Sequence, residues 1–161
     1  MKLGKFWEAH FLTLEFTLAF VLSLLFSVWS ETINSRVLIE SIFIGNRQTL
    51  YGALVALFGS LLGFAITAVS IILGYANSDK LEIVRESAHY SDLWATFKSA
   101  IKVLATATIA ALIGLIFDRD TFPNNLIMYL NIFLSILSFL RVARCIWVLE
   151  NIIAIVTKQR K

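Results

Sequence analysis

The chain contains one cysteine, one proline and two histidines, and this scarcity excludes several kinds of site. Cys145 alone permits no internal disulfide and no metal-ligand spacing, so we expect it to be a small buried apolar residue. His10 and His89 form no H-x-x-x-H pair, and the sequence has neither a glycine-rich phosphate turn nor a G-x-S-x-G elbow. The sequence therefore predicts no enzymatic activity, no cofactor and no metal site.

Charged residues are scarce as well. They make up 16% of the chain, while 58% of it is hydrophobic; an average soluble domain has about 25% and roughly 45–50%. The excess lies in four long apolar stretches, at residues 11–30, 51–75, 98–117 and 126–149. Each stretch is close to the length of about 20 residues that a helix needs to cross a bilayer. The sequence predicts an all-α integral membrane four-helix bundle.

This bundle would form a single transmembrane domain over residues 1–161, with a helical cytoplasmic tail that extends to residue 157. Arg36, Arg47 and Arg119 are the only basic residues on one side of the predicted membrane, so the other side holds 11 of the 14 (14 − 3 = 11). The positive-inside rule then places both termini in the cytoplasm, with the chain in the inner (plasma) membrane. Between the first two stretches, residues 31–48 suit a short helix at the outer interface. No clustered basic helix indicates nucleic acid, and the expected partner is the lipid bilayer.

Small residues recur at intervals of three or four through the second stretch. They are Gly52, Ala56, Gly59, Gly63, Thr67, Ser70 and Gly74. No hydrophobic force joins helices inside lipid, so close backbone approach must do so, and small residues permit it. The pattern predicts either a packing seam for another helix or the wall of a narrow polar path.

A second polar face lies on the fourth stretch, where Asn131, Ser135 and Ser138 follow one another at helical spacing. An amide group near the middle of the membrane is costly unless it is paired. We therefore expect Asn131 to face protein or water. It would contribute either an interhelical hydrogen bond or part of a hydrophilic pore wall.

Three charged residues fall inside the predicted spans at a common depth. Glu15, Lys102 and Arg141 each lie about one helical turn, some 6 Å, below the same membrane surface. Unpaired charges are costly at this depth. We expect an ion-pair cluster that joins the first, third and fourth helices, unless the side chains of Lys102 and Arg141 extend to the membrane surface instead. The alternative role is a charged ring at the cytoplasmic mouth of a pore.

The order of these features resembles the layout of RexB-type membrane proteins, over residues 49–161. The resemblance rests on Thr49-Leu50, the small-residue span, the run LEIVRE at 81–86, Tyr90, two further spans and a basic tail. RexB-type proteins are small four-span bacterial or prophage proteins of abortive phage exclusion, which act as ion channels that depolarise the cell. The four-span membrane subunits of multigene antiphage systems, which work with a soluble sensor, are similar too. These likenesses imply a docking surface for a cytosolic partner at Leu81, Val84 and Arg85 and, on the tail, at Trp147.

Two functions are consistent with the sequence. The first is a homo-oligomeric channel or membrane-permeabilising effector, because four thin helices cannot enclose a water path without neighbouring copies. The second is a membrane anchor or scaffold that recruits a cytosolic protein and conducts nothing. Resemblance to the phage-exclusion proteins implies antiviral defence as the setting of the first function.

Overall fold

The computed structural model describes the backbone of residues 2–32, 37, 39, 41–74 and 90–158. Side chains are described for residues 11–32, 37, 39, 41–74 and 93–150. Within these ranges the chain forms four long helices: α1 (Lys2–Ser30), α2 (Arg47–Gly74), α3 (Tyr90–Phe117) and α4 (Asn125–Lys158).

All four helices are long and apolar enough to cross a membrane, with candidate spans at Phe11–Ser30, Arg47–Gly74, Leu93–Phe117 and Asn125–Glu150. The prediction of an all-α, multi-pass membrane protein with four spans is confirmed at this level. The assignment of both termini to the cytoplasm stays a prediction. The expected interfacial helix over residues 31–48 lies partly outside the described residues, and the loop of residues 75–89 lies wholly outside them.

The principal helix contacts follow the order α2, α3, α4, α1. Neighbouring helices run antiparallel: Tyr51, near the start of α2, meets Gly114, near the end of α3. Likewise the Ser30 hydroxyl, at the end of α1, is 2.7 Å from the Tyr129 hydroxyl, near the start of α4. We call the end of the protein that holds these four residues the Asp118 end, after the residue that follows α3, and the opposite end the Arg141 end.

Helix α3 is the central packing element because small residues on two of its faces let α2 and α4 approach closely. Ala107 and Ala111 are fully buried, and Ala100 and Ala110 nearly so. One core cluster joins α2, α3 and α4, and consists of Phe58, Leu104, Ala107, Ala110 and Leu134. Since dispersion contacts must hold helices together in lipid, this alanine-rich helix is the main source of cohesion.

A second core cluster lies toward the Arg141 end. Leu93 and Phe97 of α3 pack there with Cys145 and Val148 of α4. A continuous α4 is predicted to overrun the bilayer, so that its apolar residues either need a neighbour or lie along the inner leaflet. The start of α3 covers Val148 and Leu149, whereas Ile146 and Trp147 are exposed, and Cys145 is buried as expected.

The outer surface of the four helices is apolar. Large exposed side chains occur on every helix, among them Phe20, Leu25, Val28, Phe64, Ile71, Ile109, Ile116 and Phe139. A water-soluble domain would bury such residues, whereas a helix that faces acyl chains exposes them. The surface therefore agrees with the length and composition of the helices.

Helix α4 begins where the sequence supplies a stop and a cap. Pro123 precedes the helix, and the Asn124 side-chain oxygen accepts hydrogen bonds from the backbone N–H groups of Leu126 and Ile127 at 3.1 and 3.3 Å. These are donors that have no partner inside the first turn of a helix. The cap fixes the start of α4 directly after the turn that carries Asp118.

Candidate functional site

The most deeply buried charge in the described part of the chain is Asp118, whose side chain has no exposed surface. One Arg47 nitrogen, Nη1, donates to both of its carboxylate oxygens at 2.8 Å. The Tyr51 hydroxyl donates to Oδ2 at 2.5 Å, and the backbone N–H of Asn124 donates to Oδ1 at 2.7 Å. We call Arg47, Tyr51 and Asp118 the Asp118 cluster.

Local sequence explains how this cluster forms. Arg47 begins α2 and Tyr51 follows one turn later, so both side chains project from the same face of the helix. Gly114 lies one turn before Asp118 on α3, and a Cβ atom built there would be 2.6 Å from ring carbons of Tyr51. Only glycine leaves space for the ring, and the ring then carries its hydroxyl to the carboxylate. The cluster joins α2, α3 and the start of α4.

A second buried ionic cluster lies toward the Arg141 end. Arg141 Nη1 donates to Glu15 Oε2 at 2.6 Å, and Arg144 Nε donates to Glu15 Oε1 at 3.1 Å. Arg141 Nη2 also donates to the backbone carbonyl of Leu12 at 2.8 Å. We call Glu15, Arg141 and Arg144 the Glu15 cluster. It ties α1 to α4, and the principal contacts of α1 with the other helices are those with α4.

Aromatic rings surround the second arginine of this cluster. The Arg144 guanidinium lies 4.5 Å from the ring centroid of Phe11 and 5.3 Å from that of Trp147. Both distances are within the range of cation–π attraction. Because Trp147 is half exposed, this part of the cluster also reaches the surface of the protein.

Lys102 does not belong to the cluster in which the sequence placed it. Its side chain is exposed on α3, whereas Glu15 faces α4 and is already bonded to two arginines. The sequence predicted the depth of Lys102 along α3 adequately, since Ala100 packs with Cys145 near the level of Arg141. It did not predict the direction in which the Lys102 side chain points around the helix axis. Arg144, one turn after Arg141, takes the predicted place of Lys102.

The polar face of α4 points into the protein. Asn131 is 2% exposed, and its Nδ2 donates to the Ala110 carbonyl of α3 at 3.2 Å and to the Ile127 carbonyl at 2.9 Å. Ser138 is also buried, and the Ser135 hydroxyl donates to the Asn131 carbonyl at 2.7 Å. Of the two roles predicted for Asn131, the structure places it in the interhelical hydrogen bond.

The small-residue face of α2 has the opposite placement. Gly63, Thr67 and Ser70 are exposed, and Gly52 and Gly59 are only partly covered. A Cβ atom at any of these three glycines would meet nothing within 4 Å beyond the helix itself. The Thr67 and Ser70 hydroxyls donate to carbonyls of their own helix at 2.9 Å. The close-packed seam between the described helices is therefore the alanine-rich surface of α3, and the described residues leave this face of α2 largely open.

A cleft of about 480 Å³ opens at the Asp118 end between the end of α1 and the starts of α2 and α4. Glu31, Arg47, Asp120 and Tyr129 supply polar walls, and Ile39, Ile44, Pro123 and Met128 supply apolar ones. Asp120 accepts a hydrogen bond from the backbone N–H of Gly45 at 3.1 Å. Gly45 has a φ of 76°, a conformation that suits glycine, so this bond fixes the turn that enters α2.

Among the described residues, no group of three or more His, Cys, Asp or Glu side chains is arranged to hold a metal ion. Trp147 is the one predicted docking residue with a described side chain; Leu81, Val84 and Arg85 lie outside the described residues. Comparisons of the chain with protein-family models, curated proteins and solved structures found no match.

The contacts described above define the candidate site, which consists of the two ionic clusters and the exposed face of α2.

Proposed function

We propose that the protein is a homo-oligomeric membrane channel or membrane-permeabilising effector whose copies meet, or enclose a path, along the small-residue face of α2. The observation that carries this proposal is the exposure of that face, which includes Gly63, Thr67 and Ser70. Small residues inside lipid are suited to close contact with another helix, and hydroxyl groups are suited to a narrow polar lining. Within the described part of the chain, no other helix covers Gly63, Thr67 or Ser70.

The polar face of α4 supports the same choice of helix by elimination. Asn131 is buried against α3 and Ser138 is also buried, so a path lined by Asn131 would require α3 and α4 to separate. A path between copies along α2 requires no such separation.

The setting that we propose is antiviral defence in the inner membrane, with both termini cytoplasmic. Its support is the resemblance in layout to RexB-type proteins and the unequal distribution of lysine and arginine. Under this proposal, depolarisation of the cell is the effect of the assembled protein.

A non-conducting membrane anchor is the second candidate. It is favoured by Trp147, which is 50% exposed beside the Glu15 cluster and is able to contact a cytosolic partner. In this case a neighbouring helix seals the α2 face, and the loop that contains Leu81, Val84 and Arg85 contributes to docking.

Ion flux from liposomes that contain the purified protein distinguishes the two functions. The channel proposal predicts flux from the native protein and a reduction of about tenfold or more in Gly63→Leu. The matched control is Phe139→Leu, which alters an exposed apolar position on α4 and should leave flux unchanged. Gly63→Leu adds a side chain in open space, so the protomer should fold normally by circular dichroism. Absence of flux from the native protein in sodium, potassium, chloride and proton gradients would favour the anchor.

A further inference from the structure

Two lysines lie on the outward face of α3, one turn apart. Lys98 and Lys102 are both exposed, and their i, i+4 spacing places them one above the other on the same side of the helix. The same face continues toward the Asp118 end through Thr106, Ile109, Ile113 and Ile116, all of them exposed. This face of α3 therefore carries positive charge toward the Arg141 end and mainly apolar side chains toward the Asp118 end.

The depth of the two lysines matches a membrane surface. Counted from Asp118 along α3, Lys102 lies about 24 Å away and Lys98 about 30 Å away at 1.5 Å per residue. The hydrocarbon core of a bilayer is about 30 Å thick. With Asp118 placed at the opposite surface of the hydrocarbon core, Lys98 is at the level of the headgroups, and the flexible stem of Lys102 can carry its ammonium group about one turn to the same level.

No carboxylate of the described residues neutralises these lysines. Among the described side chains, the acidic residue at this depth is Glu15, and its two oxygens are occupied by Arg141 and Arg144. The ion pairs in the described part of the chain involve Arg47, Arg141 and Arg144 and neither lysine. Positive charge at a membrane surface without a protein counter-charge attracts anionic lipid.

We propose that Lys98 and Lys102 together bind the phosphate of an anionic phospholipid, whose acyl chains lie along Ile109, Ile113 and Ile116. Each ammonium group offers three N–H donors, which suits the several oxygens of a phosphodiester. The apolar part of the face suits the acyl chains, which a free phosphate ion lacks. This site is independent of whether the protein conducts ions.

Spin-labelled lipids measure such a site directly. The protein is reconstituted in phosphatidylcholine, and the association of spin-labelled phosphatidylglycerol is compared with that of spin-labelled phosphatidylcholine by electron paramagnetic resonance. Each lysine near the surface is expected to strengthen binding of the anionic lipid by about fivefold. We therefore expect Lys98→Gln with Lys102→Gln to lower the preference for phosphatidylglycerol by more than tenfold, and the matched double substitution to arginine to preserve it.

Arg119→Gln is the control, because it removes an exposed basic residue at the Asp118 end and should leave the preference unchanged. Circular dichroism of each variant checks that the helices are retained. The proposal is overturned if the glutamine variant keeps the native preference, or if Arg119→Gln lowers it equally. It is also overturned if inorganic phosphate at constant ionic strength displaces the spin-labelled lipid, since the site would then bind phosphate without regard to acyl chains.

Discussion

Replacing Asp118 by asparagine should destabilise the protein more than any other single change of similar size at that end of the molecule. The carboxylate accepts two hydrogen bonds from Arg47, one from Tyr51 and one from the Asn124 backbone. Asparagine has one acceptor oxygen and no charge, so the buried Arg47 would keep only Asp120, 4.0 Å from its Nε, as an ionic partner. Breaking a buried ion pair in this way costs about 3–5 kcal/mol.

The assay is reversible unfolding in mixed micelles of a mild detergent and sodium dodecyl sulfate, followed by circular dichroism. Asp120→Asn is the matched control, because that side chain is 39% exposed and lies 4.0 Å from Arg47 Nε. It should cost about 1 kcal/mol or less. Combining Asp118→Asn with Arg47→Met removes the uncompensated charge and should restore part of the lost stability. A cost of Asp118→Asn no larger than that of Asp120→Asn would refute the reasoning.

Three further predictions use the same unfolding assay. Glu15→Gln should cost about 3–5 kcal/mol because it leaves Arg141 and Arg144 without their carboxylate. A free energy of unfolding that differs from that of the native protein by less than about 1 kcal/mol would contradict this. Gly114→Ala should cost about 1–3 kcal/mol, since its Cβ atom would displace the Tyr51 ring, and the same change at the open position Gly59 should cost nothing. Asn131→Leu should cost about 0.5–1.5 kcal/mol through loss of its interhelical hydrogen bond to the Ala110 carbonyl, which keeps its own bond within α3; an unchanged or increased stability would show that the interhelical bond contributes nothing.

Much of the fold follows from the sequence because the spans depend on local composition. A run of about 20 apolar residues is a property of each segment alone, so the ends of the helices at Ser30, Gly74 and Phe117 agree with the predicted stretches to within a residue. The order in which the helices pack does not follow from each segment alone, because it depends on which helix allows the closest backbone approach. The glycines of α2 predicted a packing seam more strongly than the alanines of α3 did, yet the alanines form the seam.

The candidate site was predicted in part for a related reason. Counting residues from the start of a span gives depth, which is why Glu15 and Arg141 were expected at one level. Depth does not give the direction of a side chain around the helix, so Lys102 was grouped with them and Arg144 was missed. Direction is set by the neighbouring helix, and α1 contacts α4.

The Asp118 cluster was missed altogether. In the sequence, Asp118 reads as part of an acidic turn and Arg47 as an exposed basic residue at the start of a span. A signal was present nevertheless, because the four-span topology places the start of the second span and the end of the third on the same side of the membrane. Opposite charges at those two positions, with Tyr51 one turn inside, are the pattern of an ion pair.

Side-specific cysteine labelling tests the four-span arrangement most directly. In a Cys145→Ser background, single cysteines are introduced at Thr32, Arg119 and Lys158 and treated with a membrane-impermeant reagent in sealed right-side-out and inverted vesicles. The account predicts that Thr32 and Arg119 are labelled from the same side and Lys158 from the opposite side. Labelling of all three positions from one side, or labelling of Thr32 and Arg119 from different sides, would contradict it.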